Sequence, residues 1–292
     1  MVIERALEKL RQGVAPTVGS AARVANEPIA KQGSTPASVA KGGSTPAHAL
    51  EFALPAFPVV NCSHAVAIAH RILVPNTLAG VNERVAAAYR MIRTRILHRC
   101  RSAGLKSVAI TSAGAGEGKS VTALNLALSL ARDPTVNVFL LDLDMRSPSM
   151  CRYLGVQPPV ELLAYFAGSR AASEVFFSIG PKNLALAGSL ASTDGASELL
   201  GAGRLEALLS YINSLCPNAI ILLDLPPVLV TDEALLVAPR VDATLLVVAE
   251  GRTRRDSLAR AVSLLAEFKS IGVLLNRATE HMGQNGYYYY YK

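Results

Sequence analysis

The stretch Ala113-Gly114-Ala115-Gly116-Glu117-Gly118-Lys119-Ser120 has the residue types and spacing of a phosphate-binding loop, with alanine in the first position. Its glycines let successive backbone N–H groups turn inward around phosphate oxygens. The expected contacts run through Gly114, Ala115, Gly116, Glu117, Gly118, Lys119, Ser120 and Val121, with Lys119 reaching the terminal phosphates and Ser120 able to ligate Mg²⁺. A merely flexible glycine turn would not account for an apolar strand before the motif and a helical pattern after it.

Three carboxylates have the same kind of placement. The segment "VFLLDLDMRSP" puts Asp142 and Asp144 at the end of an apolar run, and alternation lets side chains at i and i+2 face one point. Two close acids need a cation between them or a shared proton, which favours a metal or general-base site over a solvated turn. Asp224 closes a second run, "AIILLD", before Pro226-Pro227, and fits the magnesium-holding acid of a P-loop fold. Asp232 reads as a helix cap or as a further site acid.

The elements that must position these groups are equally visible. Candidate strands are 107–111, 138–142, 184–188, 219–224, 243–250 and 271–276, mostly separated by 12 to 20 residues of helical character. Continuous Val/Ile/Leu runs point to a parallel sheet covered by helices on both faces, so the expected fold is α/β and doubly wound. Ligands of such sheets bind at the carboxyl ends of the strands, where all the motifs above fall.

Composition organises the rest. Of 292 residues 51% are hydrophobic, ample for a core, and no apolar run approaches the ~20 residues of a membrane span. Cys62, Cys100, Cys151 and Cys216 share no metal-ligand spacing, which suits a reducing cytoplasm. The net charge of +7 resides in residues 1–104, with 13 Lys/Arg against 5 Asp/Glu. Residues 1–12 read as an amphipathic helix with Ile3, Ala6, Leu7 and Leu10 on one face. Residues 13–80 read as a flexible linker, rich in Ala, Gly, Ser and Pro and containing "KQGSTPASVA" and then "KGGSTPAHAL". The compact domain is expected over 81–277. It opens with a basic helix near 82–101, whose apolar stripe is Val85, Tyr89, Ile92 and Ile96 and whose arginines form either a solvated face or a contact for subunits or lipid. Residues 278–292 form a tail with Tyr287, Tyr288, Tyr289, Tyr290 and Tyr291, five of the nine tyrosines.

Taken in order, "AGAGEGKS", "LLDLDMR", "ILLDLPP" and the tyrosine cluster resemble the bacterial tyrosine kinases that control capsule and exopolysaccharide synthesis. The opening "IERALEKLRQ" and the proline-rich segment are similar to a stand-alone subgroup found with exosortase-type systems. The resemblance implies Mg-ATP binding in a P-loop fold of the deviant Walker class, without the eukaryotic kinase fold, and phosphorylation of the chain's own tyrosines between subunits of a homo-oligomer. Carried over, Lys119 and the loop amides hold phosphates, and Ser120 and Asp224 hold Mg²⁺. Asp142 and Asp144 then assist the metal and take the tyrosine proton, with Asp142 as base and the two able to exchange roles. Arg146 serves a transition-state or a structural contact, and Asn276 meets the nucleotide base. Implied partners are a membrane-bound chain-length protein as activator and a tyrosine phosphatase, with no nucleic acid, at a cytoplasmic site peripheral to the inner membrane. In the family's Glu-x-x-Arg-x-x-Arg assembly motif Arg90 and Arg93 are present, whereas Ala87 replaces the glutamate and removes one support of the ring. Two rival readings are a partitioning-type ATPase and a nucleotide-dependent gate of a membrane polysaccharide complex. The first would carry a signature lysine where Gly114 stands.

Overall fold

The computed structural model describes residues 54–74 and 83–278. The expected amphipathic helix 1–12 and the tyrosine-bearing tail from 279 onward lie outside them. Six parallel strands, β1 (Ser107–Ser112), β2 (Val138–Asp142), β3 (Leu184–Ala187), β4 (Ile220–Asp224), β5 (Ala243–Ala249) and β6 (Ser270–Asn276), form one sheet in the order β3-β2-β4-β1-β5-β6. All six lie where continuous apolar runs predict them. Five are buried throughout; β6 is the exception, an edge strand with Leu275 56% exposed.

Alternation divides the core between the two faces of the sheet. Val108, Ile110, Leu140 and Leu222 pack on one side with α1 (His64–Ala69), α2 (Glu83–Ala103), α3 (Lys119–Leu130) and α4 (Met150–Leu154). Ala109, Phe139, Leu141 and Leu223 pack on the other with α5 (Leu162–Phe166), α6 (Ala196–Gly201), α7 (Arg204–Leu215), α8 (Glu233–Val237) and α9 (Arg255–Leu265). Each burial of a large side chain contributes about 1.5–3 kcal/mol, so two full faces make the sheet a rigid platform.

One expectation needs correction. Residues 54–74 are not linker, because they pack on the domain. Phe57 sits 5.5 Å from the Phe176 ring and 6.3 Å from Phe139, and Ile72 and Val74 are buried. The Leu73 N–H donates to Asn125 Oδ1 at 2.8 Å, and Val60 N–H to Ser178 O at 2.8 Å.

The basic helix also departs from a simple solvated face. Arg93 donates to Ser129 O at 3.0 Å and Arg99 to Ile271 O at 2.7 Å, so two guanidiniums fasten α2 to the end of α3 and to the start of β6. Arg90 pairs instead with Glu83 at 3.2 Å on the surface. Of the apolar stripe, Tyr89 and Ile96 are buried, but Val85 is exposed.

Candidate active site

The platform places three strand ends side by side, since β4 lies between β2 and β1. Hydrogen bonds lock these ends together. Leu143 N–H donates to Asp224 O at 2.9 Å, and the Thr111 hydroxyl donates to Pro226 O at 2.7 Å. The phosphate loop, the Asp142/Asp144 turn and the Asp224 turn therefore share one frame.

The loop passes into α3 through Gly118, whose φ of 93° lies in the left-handed region that favours glycine. No side chain caps this helix, so its first amides point into the site, as anion binding requires. Several side chains fix the loop from behind. Glu117 is buried, and its carboxylate accepts the Ala113 N–H at 3.0 Å and the Thr253 hydroxyl at 2.7 Å. Asn276 Nδ2 donates to Glu117 O at 2.9 Å, and Arg277 donates to Gly116 O at 2.9 Å. A Cβ on Gly118 would fall 2.1 Å from Asn276 Nδ2, and one on Gly116 2.7 Å from an Arg252 nitrogen. Sequence reading placed Asn276 at the site but missed the Glu117 side chain, Thr253, Arg252 and Arg277. The loop glycines gave no signal for them, because they converge only through the sheet.

Lys119 lies at the centre of the carboxylates. Its Nζ is 2.7 Å from Asp144 Oδ2, 3.7 Å from Asp224 Oδ1 and 3.2 Å from the Ser120 hydroxyl. Burial alone would favour loss of its proton, but Asp224 and Asp144 outweigh that and raise its pKa. Asp224 is pushed up to about 7, chiefly by burial, with Lys119 pulling the other way. Both its oxygens are buried without a hydrogen-bond donor. Such an orphaned carboxylate beside a serine hydroxyl fits a hard divalent cation that prefers oxygen ligands.

Asp142 behaves differently from Asp144. It accepts backbone N–H groups from Ser149 and Met150 at 2.9 Å each and from Asp144 at 3.2 Å, so it also fastens the turn into α4. Burial raises its pKa. A carboxylate has about four acceptor positions, and these three amides leave one. Lys119, Ser120, Asp142, Asp144 and Asp224 thus gather as expected, although no three His, Cys, Asp or Glu side chains among the described residues already form a metal cage. Lys119 occupies the middle of the group.

Arg146 is directed away from this centre. Its Nε donates to Glu233 Oε1 at 2.6 Å, and Glu233 is fully buried at the start of α8. Of the two roles open to Arg146 in the sequence, the structure displays the structural one. Asp232 occupies the cap position of α8 but makes no side-chain capping bond; its carboxylate accepts the Ser197 hydroxyl at 2.7 Å. Val121 lies in the first turn of α3 and lines, with Asn276, a groove next to the loop.

A phosphate loop with a buried lysine, set among three carboxylates on an all-parallel sheet, defines a P-loop nucleotide-binding domain of the MinD type. The family model described as the CobQ/CobB/MinD/ParA nucleotide binding domain matches residues 108–289. The chain is 30% identical over 204 residues to Tyrosine-protein kinase YwqD of Bacillus subtilis, covering 68% of this chain and 84% of that one. It is 27% identical over 186 residues to Tyrosine-protein kinase CpsD of Streptococcus agalactiae, covering 63% and 80%. In fold it is similar to the kinase domain of the Escherichia coli tyrosine kinase ETK, with a TM-score of 0.60, 23% identity and coverage of 70% and 80%. The chain belongs to the bacterial tyrosine-protein kinase family.

Proposed function

We propose that the protein is an ATP-dependent tyrosine kinase that phosphorylates its own residues Tyr287 to Tyr291 and acts in exopolysaccharide synthesis, chain length or export. The observation that carries the reading is the meeting of Lys119, Asp142, Asp144 and Asp224 at three adjoining strand ends, in a chain that also bears five clustered phenols. Among the described residues no helix is long and apolar enough to cross a membrane.

In this reading the loop amides from Gly114 to Val121 bind the phosphates and Lys119 exchanges its carboxylate partners for the terminal phosphate oxygens. Ser120 and Asp224 would hold Mg²⁺, which would supply charge neutralisation on the transferred group, while the single open position of Asp142 is kept for the phenol. The tyrosine oxygen forms a bond to the γ-phosphorus as the bond to the ADP oxygen breaks. Asp142 accepts the phenol proton at its remaining acceptor position; its raised pKa makes it a better base than an exposed aspartate. Asp144, once released by Lys119, is the alternative acceptor. Asn276 supports the base-side end of the nucleotide by holding the loop.

The test is phosphotyrosine formation on full-length protein with Mg-ATP, mapped by mass spectrometry. Wild type should gain up to five phosphates on residues 287–291, and Lys119→Met none. Phosphate transferred only to water, with no labelled tyrosine even beside a membrane-protein activator, would overturn the kinase assignment in favour of an ATPase. Within the site, Asp142→Asn should abolish transfer while retaining nucleotide binding; equal loss from Asp144→Asn with full activity of Asp142→Asn would move the base to Asp144.

A further inference from the structure

A groove of about 810 Å³ runs between the first half of α2, the turn after α1 and the outer edge of β6. Its size lies within the ~300–1,000 Å³ of ordinary ligand pockets. Among the described residues seven large hydrophobic side chains are exposed, and three of them, Ile68, Val85 and Leu275, line this one depression. Apolar surface concentrated in that way marks a contact surface rather than scattered exposure. Arg71, Arg84 and Arg277 contribute a cationic lining to the same groove.

The course of the chain indicates what covers it. Arg277 adopts a left-handed φ of 56°, which turns the backbone out of β6, and Ala278, the last described residue, itself lines the groove. The eight residues 279–286 separate it from Tyr287 and span at most ~26–29 Å at ~3.3–3.6 Å each. That length suffices to reach back to a groove that begins at Ala278. Tyrosine suits such a surface, since its ring packs on apolar side chains, its face attracts guanidinium groups and its hydroxyl keeps a polar partner. Residues 279–292 carry Glu280 and Lys292 as their only Asp, Glu, Lys or Arg, so the arginines do not repel them.

We propose that the segment Tyr287–Tyr291 of the same chain, in its unmodified form, docks in this groove between α2 and β6. The docked tail is stored beside its own phosphate loop, next to Asn276 and Val121, but away from the Lys119 carboxylate cluster. Docking requires no phosphoryl transfer, so the proposal stands or falls independently of the kinase reading.

Full-length, phosphatase-treated, nucleotide-free protein provides the test. Amide exchange over residues 83–92 and 276–278 should be slower in wild type by about fivefold or more than in the variant with Tyr287 to Tyr291 all changed to Ser. A benzophenone amino acid at position 275 of the otherwise wild-type chain should form an intrachain adduct with residues 284–292. Equal exchange in both proteins overturns the proposal, as do adducts confined to another segment such as 75–82. Adducts that join two chains would assign the groove to a second copy and overturn docking within one chain. The cross-link keeps the test decisive if the five-serine variant does not fold.

Discussion

Lys119 Nζ lies 2.7 Å from Asp144 Oδ2, closer than its 3.7 Å approach to Asp224, so the phosphate-loop lysine offsets part of the site's carboxylate charge before any nucleotide arrives. Removing it leaves three buried carboxylates without their cation. Lys119→Met should therefore cost about 3–5 kcal/mol at pH 8, the usual consequence of breaking a buried pair. The deficit should shrink toward pH 5 as Asp224, pushed up to about 7 by burial, takes a proton. Urea melts at the two pH values test this; a deficit independent of pH would mean the carboxylates are not what Lys119 balances.

Asp224 makes stability and metal binding depend on pH in opposite senses. Its folded pKa of about 7 stands above the ordinary 3.8, so its contribution is fully present below about 4 and is lost as pH rises through about 7. A cation competes with that proton. Mg-ATP should raise Tm more at pH 8 than at pH 5.5, and Asp224→Asn should abolish the difference. Equal Tm gains for wild type at both values would place the metal elsewhere.

Glu117 holds the phosphate loop from behind. Glu117→Ala strands the Ala113 N–H and the Thr253 hydroxyl, at a cost of about 1–3 kcal/mol per buried group, and should weaken ATP-analogue binding at least tenfold. Glu117→Gln keeps an acceptor and a donor and should recover most of the loss. Titration calorimetry on the pair of variants decides the point; wild-type affinity in the alanine variant would show that the loop holds its shape unaided.

Arg146 and Glu233 join the Asp142/Asp144 turn to α8. Arg146→Ala should lower Tm, because Glu233 is left buried with no cation, and the Arg146→Ala/Glu233→Gln double variant should regain part of that loss. If the double variant is less stable than the single one, the charge of Glu233 is balanced by something other than Arg146.

The sheet was legible because each strand is a continuous run of β-branched and aliphatic residues, and the phosphate loop because its order of elements has few other uses. The carboxylates were legible as strand ends. Edge status was not, since "IGVLLN" reads like an interior strand until its neighbours are known. Long-range fasteners were also hidden. Glu117 and Thr253 are 136 residues apart, and Arg99 and Ile271 are 172 apart, so no local spacing reveals either pair. Residues 54–74 were assigned to the linker because Phe57, Ile72 and Val74 are too widely spaced to form a periodic pattern.

The bonds from Asn276 to Glu117 O and from Arg277 to Gly116 O have a mechanical consequence. They tie the phosphate loop to the last two residues before Ala278, just after a strand that among the described residues is hydrogen-bonded along one side only. A pull on the segment beyond Ala278 would load these two bonds in series with the loop and would peel β6 before any interior strand. Tension on the tail is thereby felt where phosphate binds.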